Sequence, residues 1–295
     1  MLSSDIYEKY MTLMDCPYCH TKGGNYIAHN VHKIVQCGAC GLYRISPRME
    51  SKGQISLIEN HYKEANREAL QEMNPFDAVS SCEKEIKVIG KVLPRVFSGG
   101  RVLDVGCRFG EFVAAMKNAG ANVSGLEPGK DAVQLGVKYG LDLHLGRFEL
   151  EDFPEKLKNK RFDLVCFRQS IYYVPDLEKG FDLLGRLLRP GGALYIQSTL
   201  GSSVFFEKTK RFAQRLGPFV SGIPTLDSLE YMIEKEGYSI QKKFWFHMDV
   251  FSLLGNESIG STIFGKALNK FILMPYYQFT GRGDVIGVIA LSKNT

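Results

Sequence analysis

Arg101-Val-Leu-Asp-Val-Gly-Cys-Arg-Phe-Gly-Glu-Phe112 is the stretch that decides the fold. Its first five residues make a short apolar run of the kind that fills a buried strand. Gly106 and Gly110 then punctuate it, and Glu111 to Ala119 has helical spacing. A strand that passes through a glycine loop into a helix aims the helix's first amide groups at the space above the loop. The glycines let the backbone approach a ligand there. Glu127, twenty-one residues after Gly106, ends a second strand pattern that begins at Asn122. In a doubly wound sheet this acid faces the same crevice and can accept both hydrogen bonds of a ribose diol. The loop does not spell the Gly-x-Gly-x-x-Gly of dinucleotide sites, nor the Gly-Lys-Ser/Thr of a P-loop. Asp104 would repel a pyrophosphate and suits a ligand with a cationic amino-acid portion.

Outward from this stretch, strand and helix alternate. Lys130 to Tyr139 reads as a helix, Leu141 to Leu145 and Phe162 to Phe167 as strands, Leu177 to Leu188 as a helix and Ala193 to Ser198 as a strand. Such alternation predicts an α/β fold, a Rossmann-like, doubly wound and mainly parallel sheet with right-handed crossovers. Further on, Leu226 to Glu236 reads as a helix, and Tyr238 to Phe246 and Asp284 to Ser292 as strands. The tract 201–281 holds ten of the nineteen phenylalanines, which predicts an aromatic-rich cap. Upstream, Ile58, His61, Tyr62, Ala65, Ala69 and Leu70 have helical spacing, as do Ile86, Ile89 and Leu93, with a break at Pro75. The expected organisation is residues 1–50 as one module, 51–97 as a helical linker region and 98–295 as the main domain with cap insertions.

The N-terminal module is read from its cysteines. Cys16-Pro-Tyr-Cys19 and Cys37-Gly-Ala-Cys40 are two C-x-x-C pairs, the arrangement that presents four thiolates to one tetrahedral zinc. Tyr26 to Val35 between them alternates as a hairpin would, as in a zinc ribbon. Two disulfides or a redox dithiol are the rival readings; an odd count of seven cysteines argues against full disulfide pairing. A closed four-cysteine site leaves no open position, so its metal is structural. His20 and His32 could replace a ligand, but with four cysteines present they read as surface histidines. Cys82, Cys107 and Cys166 read as small buried hydrophobes.

The motif series Val102 to Phe112, Gly125-Leu-Glu-Pro-Gly129, Phe162-Asp-Leu-Val165 and Leu188-Arg-Pro-Gly-Gly192 resembles class I S-adenosylmethionine-dependent methyltransferases over residues 98–200. Cys37 to Pro47 is similar to the zinc-ribbon extension of a bacterial subgroup that works in surface-polysaccharide or secondary-metabolite pathways. The resemblance implies that Asp104, Gly106 and Gly110 line the methionine portion of the cofactor and that Glu127 holds the ribose hydroxyls. It places Gly146 to Glu149, with Phe148 and Glu149, beside the adenine, and Arg168 and Gln169 beside the sulfonium. Cys107 and Pro128 count among the cofactor contacts. Two positions depart from the family: Arg108 stands where glycine is usual, and Tyr172-Tyr173 where many relatives have Glu-His. A base is needed only to take the acceptor's proton, and Tyr172 or Tyr173 is the candidate to orient the acceptor or relay that proton. His144 and His247 are reserves.

The remaining readings concern partners. The chain has 295 residues, 44% hydrophobic and 23% charged, with a net charge of +5, which is ordinary for a folded domain and argues against nucleic acid as partner. The basic runs at 156–161 and 208–215 read as solvated faces, with an attraction for phosphate groups as the alternative. Arg282-Gly283-Asp284 reads as a turn. The first residues lack the features of an export signal and no stretch is long enough to span a bilayer, so a cytoplasmic protein is expected, with peripheral membrane contact left open. The expected function is methyl transfer, chiefly to oxygen, onto a sugar or small metabolite, free or lipid-linked. The alternatives are an RNA acceptor or a non-enzymatic scaffold.

Overall fold

The computed structural model describes residues 9–29, 33–57, 73–149, 151–203, 220–246, 275–276, 280 and 283–293. At its N-terminal end β1 (Met11–Leu13) pairs antiparallel with β5 (Arg48–Met49). Between them β2 (Asn25–His29), β3 (Lys33–Gln36) and β4 (Tyr43–Ile45) form a three-stranded antiparallel sheet. The hairpin expected over Tyr26 to Val35 is the β2–β3 pair. A helical segment, 51–57, follows β5 directly.

Pro75 opens a 3-10 segment, Pro75–Cys82, whose first turn is capped by Asn74 accepting from the Phe76 amide. It runs straight into α1 (Glu83–Val92). The proline therefore starts an element, as a residue without an N–H can at a helix's first position. The helical pattern expected over Ile58 to Leu70 lies outside the described residues, as does most of the aromatic tract expected to form a cap.

The main sheet has seven strands: β6 (Arg101–Val105), β7 (Asn122–Glu127), β8 (Asp142–Leu145), β9 (Phe162–Arg168), β10 (Leu188–Thr199), β11 (Tyr238–Trp245) and β12 (Val285–Ser292). Their spatial order is β11-β12-β10-β9-β6-β7-β8, parallel except for β12, which runs antiparallel to both β10 and β11. The helices between them are α2 (Glu111–Asn118), α3 (Lys130–Lys138), α4 (Glu155–Lys158), α5 (Leu177–Leu187) and α6 (Leu226–Lys235). Strand β10 starts five residues before the expected Ala193, because Leu188 already pairs with Phe162 before the turn at Gly191-Gly192.

Each helix forms where an apolar stripe meets a cap. In α5, Leu177, Phe181, Leu184 and Leu187 are buried at spacings of three to four while Glu178, Lys179, Asp182 and Arg186 face water. Asp176 caps it by accepting from the Lys179 amide at 3.1 Å. Thr225 and Ser228 form a reciprocal capping box at the start of α6. Each fully buried leucine of these stripes contributes on the order of 1.5–3 kcal/mol. One face of the sheet carries α1 and α2 (Ile89, Phe112, Val113 and Met116); the other carries α5 and α6.

The N-terminal strands join this second core. Tyr43 and Ile223 exchange backbone hydrogen bonds of 3.0 and 2.6 Å. The Pro17 carbonyl accepts from the first amide of α5, Leu177, at 2.6 Å. The buried Tyr18 ring stands edge-on to Phe181 and Tyr231 while its hydroxyl donates to Glu236 at 2.7 Å. No helix among the described residues is long and apolar enough to cross a membrane.

Candidate active site and metal centre

The strand order reverses between β6 and β9, and a crevice opens there at the carboxyl ends of the strands. It holds a cavity of about 370 Å³. Gly106 lies at its floor with φ +74, and a Cβ there would fall 2.6 Å from the Ser170 Cβ, so only glycine fits. The amides of Gly106 and Cys107 both donate to the Leu126 carbonyl, tying the loop to the end of β7. Gly110 (φ +90) opens α2 from the left-handed region.

Glu127, at the last position of β7, lines the cavity. Its Oε1 accepts from the Gly129 amide at 2.8 Å and its Oε2 from the Arg108 amide at 3.0 Å. The two amides fix the carboxylate in one orientation, and each carboxylate oxygen has the lone pairs to accept more than one hydrogen bond. Pro128, Phe148, Glu149, Arg168, Gln169, Tyr172 and Tyr173 line the same cavity. Of the ten positions expected to contact the cofactor, Asp104, Cys107 and Gly110 lie behind the lining. The Cys107 thiol packs over Gly125, and burial raises its pKa.

Asp104 is 1% exposed and its Oδ1 has no hydrogen-bond partner. Burial pushes its carboxyl up to about 8, against the attraction of Arg168. Arg168, from the end of β9, donates Nε to Glu85 of α1 at 2.8 Å, and its guanidinium stands 4.5 Å from the Phe112 ring centroid. Burial raises the Glu85 carboxyl while the Arg168 charge opposes that rise. Arg108 (φ +51) is an exposed non-glycine residue in the left-handed region at the rim, with Nη1 3.6 Å from Glu111.

On the opposite side, Glu149 accepts from the Ser51 hydroxyl at 3.0 and 3.2 Å and pairs closely with Arg147. Gln169 (φ +53) collects hydrogen bonds on Oε1 from the Thr199 amide, the Thr199 hydroxyl and the Tyr172 hydroxyl, at 3.0–3.2 Å. Burial raises the pKa of both Tyr172 and Tyr173, so these phenols keep their protons, and Tyr172 acts as a hydrogen-bond donor. His144 pairs with Asp142 and lies outside the cavity lining; His247 lies outside the described residues. Gln54, Leu57, Ser170, Val174 and Pro175 also line the cavity without having been marked in the sequence. Ser170 could have been found as the neighbour of Gln169; Gln54 and Leu57 carry no local signal.

The model of a methyltransferase domain matches residues 82–243, more than half of the chain. The chain belongs to the methyltransferase-domain family. It is an S-adenosylmethionine-dependent methyltransferase. The methyltransferase is 28% identical over 178 residues to the ubiquinone biosynthesis O-methyltransferase of Haemophilus ducreyi, covering 52% of this chain and 75% of that protein. It is 33% identical over 105 residues to the same-named protein of Alkalilimnicola ehrlichii, covering 35% of this chain and 42% of the relative, so it spans less than half of that protein's length. Among solved structures, a methyltransferase from Bacillus halodurans matches with a TM-score of 0.51 at 18% identity, over 72% of this chain and all of the other. A phosphoethanolamine methyltransferase of Haemonchus contortus, solved with S-adenosylhomocysteine, matches at 0.50 and 14% identity over 81% of this chain and 60% of its own. These likenesses show the fold.

The methyltransferase's residues fit the cofactor that its family uses. Gly106 presents bare backbone to the cavity, Glu127 presents a carboxylate held in one orientation that could take a diol, and the buried Asp104, whose Oδ1 has no hydrogen-bond partner, suits a cation.

The matched span begins at Cys82 and leaves out the second cluster of this methyltransferase. The sulfurs of Cys16, Cys19, Cys37 and Cys40 all lie within 4.8 Å of one another. Cys16 and Cys40 stand 3.6 Å apart, and Cys19 and Cys37 3.4 Å, far beyond the ~2.05 Å of a disulfide. Four thiolates ~2.3 Å from a tetrahedral zinc would be separated by roughly 3.8 Å. A hydrogen bond from Cys40, helped by the Cys19 and Tyr18 amides, pulls the Cys16 thiol down to about 5 against burial. The buried Arg44 has two guanidinium nitrogens, Nε and Nη1, without partners, and stands in the field of Cys16 and Cys37. The net negative charge of a four-thiolate zinc centre would balance that cation. His20 turns its ring nitrogens to Asp15 and Glu178 and supplies no ligand to the cluster; His32 lies outside the described residues.

Proposed function

We propose that this methyltransferase transfers a methyl group to an oxygen of a small molecule, a sugar or other ring-bearing metabolite, free or lipid-linked. The observation that carries the cofactor reading is Glu127, held by two backbone amides at the mouth of the Gly106 loop. The name shared by the ubiquinone O-methyltransferase relatives supports oxygen as the accepting atom.

In this reading Glu127 takes the ribose hydroxyls, the edge of the Gly106 loop and Pro128 bound the nucleoside, and Phe148 packs against the adenine. Arg168 provides the positive charge for the carboxylate of an amino-acid zwitterion, and Asp104, protonated near neutral pH in the free chain, would ionise as the zwitterion's ammonium approaches it. When bound, S-adenosylmethionine supplies an electrophilic methyl group. The protein's task is then proximity and alignment. Tyr172, protonated and anchored to Gln169, and Tyr173, whose ring centroid is 4.5 Å from its own, orient the acceptor against the apolar Leu57 and Val174. Glu149 is tied up by Ser51 and Arg147 and serves the wall of the site.

The four cysteines would hold one structural zinc, with no position left for substrate. Elemental analysis is expected to find about one zinc per chain; a folded chain without metal refutes this part. Titration with S-adenosylhomocysteine by calorimetry tests the cofactor site. Saturable binding that Glu127→Ala loses supports it, and absence of binding to zinc-loaded protein refutes it. Acceptors are then screened with a labelled methyl donor, and incorporation into carbon or nitrogen would overturn the assignment to oxygen.

A further inference from the structure

Residues 51–57 lie outside the span matched by the methyltransferase family, yet Gln54 and Leu57, each 2% exposed, line the cavity. Two sets of contacts hold this segment. On the side of the cysteine module, the Glu50 amide donates to the Tyr10 carbonyl at 2.9 Å. Gly53 presses on Tyr10 and Met49 so closely that a Cβ would lie 2.6 Å from the Tyr10 Cβ. The buried Arg48 donates to the carbonyl and both carboxylate oxygens of Asp15, next to Cys16, at 3.1–3.2 Å, and to the Pro175 carbonyl on the cavity wall at 3.1 Å. On the side of the main sheet, the Ser51 hydroxyl donates to Glu149 and the Gln54 amide to the Ser221 hydroxyl at 2.9 Å.

The seat of 51–57 over the cavity is not set by the segment's own sequence and rests on these two sets of contacts. Nor can a module of some fifty residues bury enough surface to stand firmly without a staple. The two weaknesses are in series: the cluster orders the β1–β5 pair, that pair seats Arg48 and 51–57, and these complete the cavity. We propose that Ser51, Gln54 and Leu57 are ligand-positioning residues, and that metal bound by the four cysteines holds them on the cavity, coupling the metal site to retention of the S-adenosyl ligand. This rests on the cofactor reading above.

The coupling is measured on the full zinc-loaded chain with S-adenosylhomocysteine as probe. Ser51→Ala combined with Gln54→Ala is expected to weaken binding about tenfold, and Ser51→Thr, which keeps the hydroxyl, to bind as the parent does. Stripping zinc from the parent with a chelator is expected to weaken binding by at least as much. Because coupling between two sites is reciprocal, saturating S-adenosylhomocysteine should weaken competition by the chelator for zinc by the same factor as zinc tightens the ligand, within the 5–150-fold usual for such linkage. A metal that only held the cysteine module together, without reaching the cavity, would show a coupling factor of one in both directions. Unchanged affinity in the zinc-loaded double variant overturns the proposal, as does a folded metal-free chain that binds like the loaded one. Should the stripped chain unfold, the double variant alone decides. Failure of the zinc-loaded parent to bind refutes the cofactor reading instead.

Discussion

The cavity has two walls of different origin. One is made of strand ends: Gly106 after β6, Glu127 at the end of β7, Arg168 at the end of β9. The other is assembled from Gln54 and Leu57, Tyr172 to Pro175, and the Ser221 contact behind them. The first wall's parts follow one another in chain order, each placed by the strand that carries it. The second wall's parts meet only because the cysteine module docks against α5 and α6. A strand-end wall is rigid because every member is fixed by the sheet's ladder. The docked wall depends on side-chain hydrogen bonds and on whatever keeps the module folded.

The contrast predicts graded damage. Arg168→Met should be the most severe change in stability, roughly 3–5 kcal/mol by urea denaturation, since it leaves the buried Glu85 carboxylate without its ion-pair partner and with only the neutral Gln197 amide donating to it at 3.4 Å. Glu85→Gln in the same chain should return part of that loss; no recovery would break the assignment of the pair. Glu127→Ala should cost about 3 kcal/mol of S-adenosylhomocysteine binding, the scale of hydrogen bonds to a charged group, and so exceed any single change in the docked wall. If Leu57→Ala proves equally costly by calorimetry, the ranking of the two walls is wrong. Gly106→Ala should lose about 1–3 kcal/mol of stability from strain and the contact with Ser170, read from the urea midpoint.

A pH test sharpens the strand-end wall further. The Asp104 carboxyl titrates near 8 in the folded chain and near ~4 when unfolded, so the folded state holds the proton more tightly between those values. Stability from this group is therefore full below pH ~4, declines as pH rises toward 8, and levels off above it. Asp104→Asn should flatten that decline in thermal melts, and an unchanged slope would exclude Asp104 as its source. The smallest effect is expected at Tyr26, an exposed ring on β2: Tyr26→Ala should stay within about 0.5 kcal/mol by denaturation.

Much of this was legible locally. The 98–200 strands and helices follow from apolar runs, glycine punctuation and spacing. Glu127 was identifiable because a carboxylate ending the second strand has one crevice to face. The two C-x-x-C pairs announced their cluster for the same reason, since a knuckle is a local shape. Gln54 and Leu57 were not legible, because nothing within 51–57 says which surface the segment will meet. Asp104 and Cys107 show the opposite limit: spacing brought them to the right loop, while the pleat of β6 and the packing over Gly125 put them behind the lining. The two tyrosines were visible as residues, but only their burial shows that they hold their protons.

Strand β12 sits between β10 and β11 in the sheet, although it is made after both. Until the ribosome has released residues 285–292, β10 has one open edge and β11 has no neighbour in the sheet. The nascent chain therefore carries an unpaired, apolar strand edge from the completion of Thr199 until Val285 is made, the kind of edge that recruits other chains. Closure of the sheet must wait for a late, long-range pairing, which slows folding. For this protein, the time between making Thr199 and making Val285 is a window of vulnerability that the finished structure no longer shows.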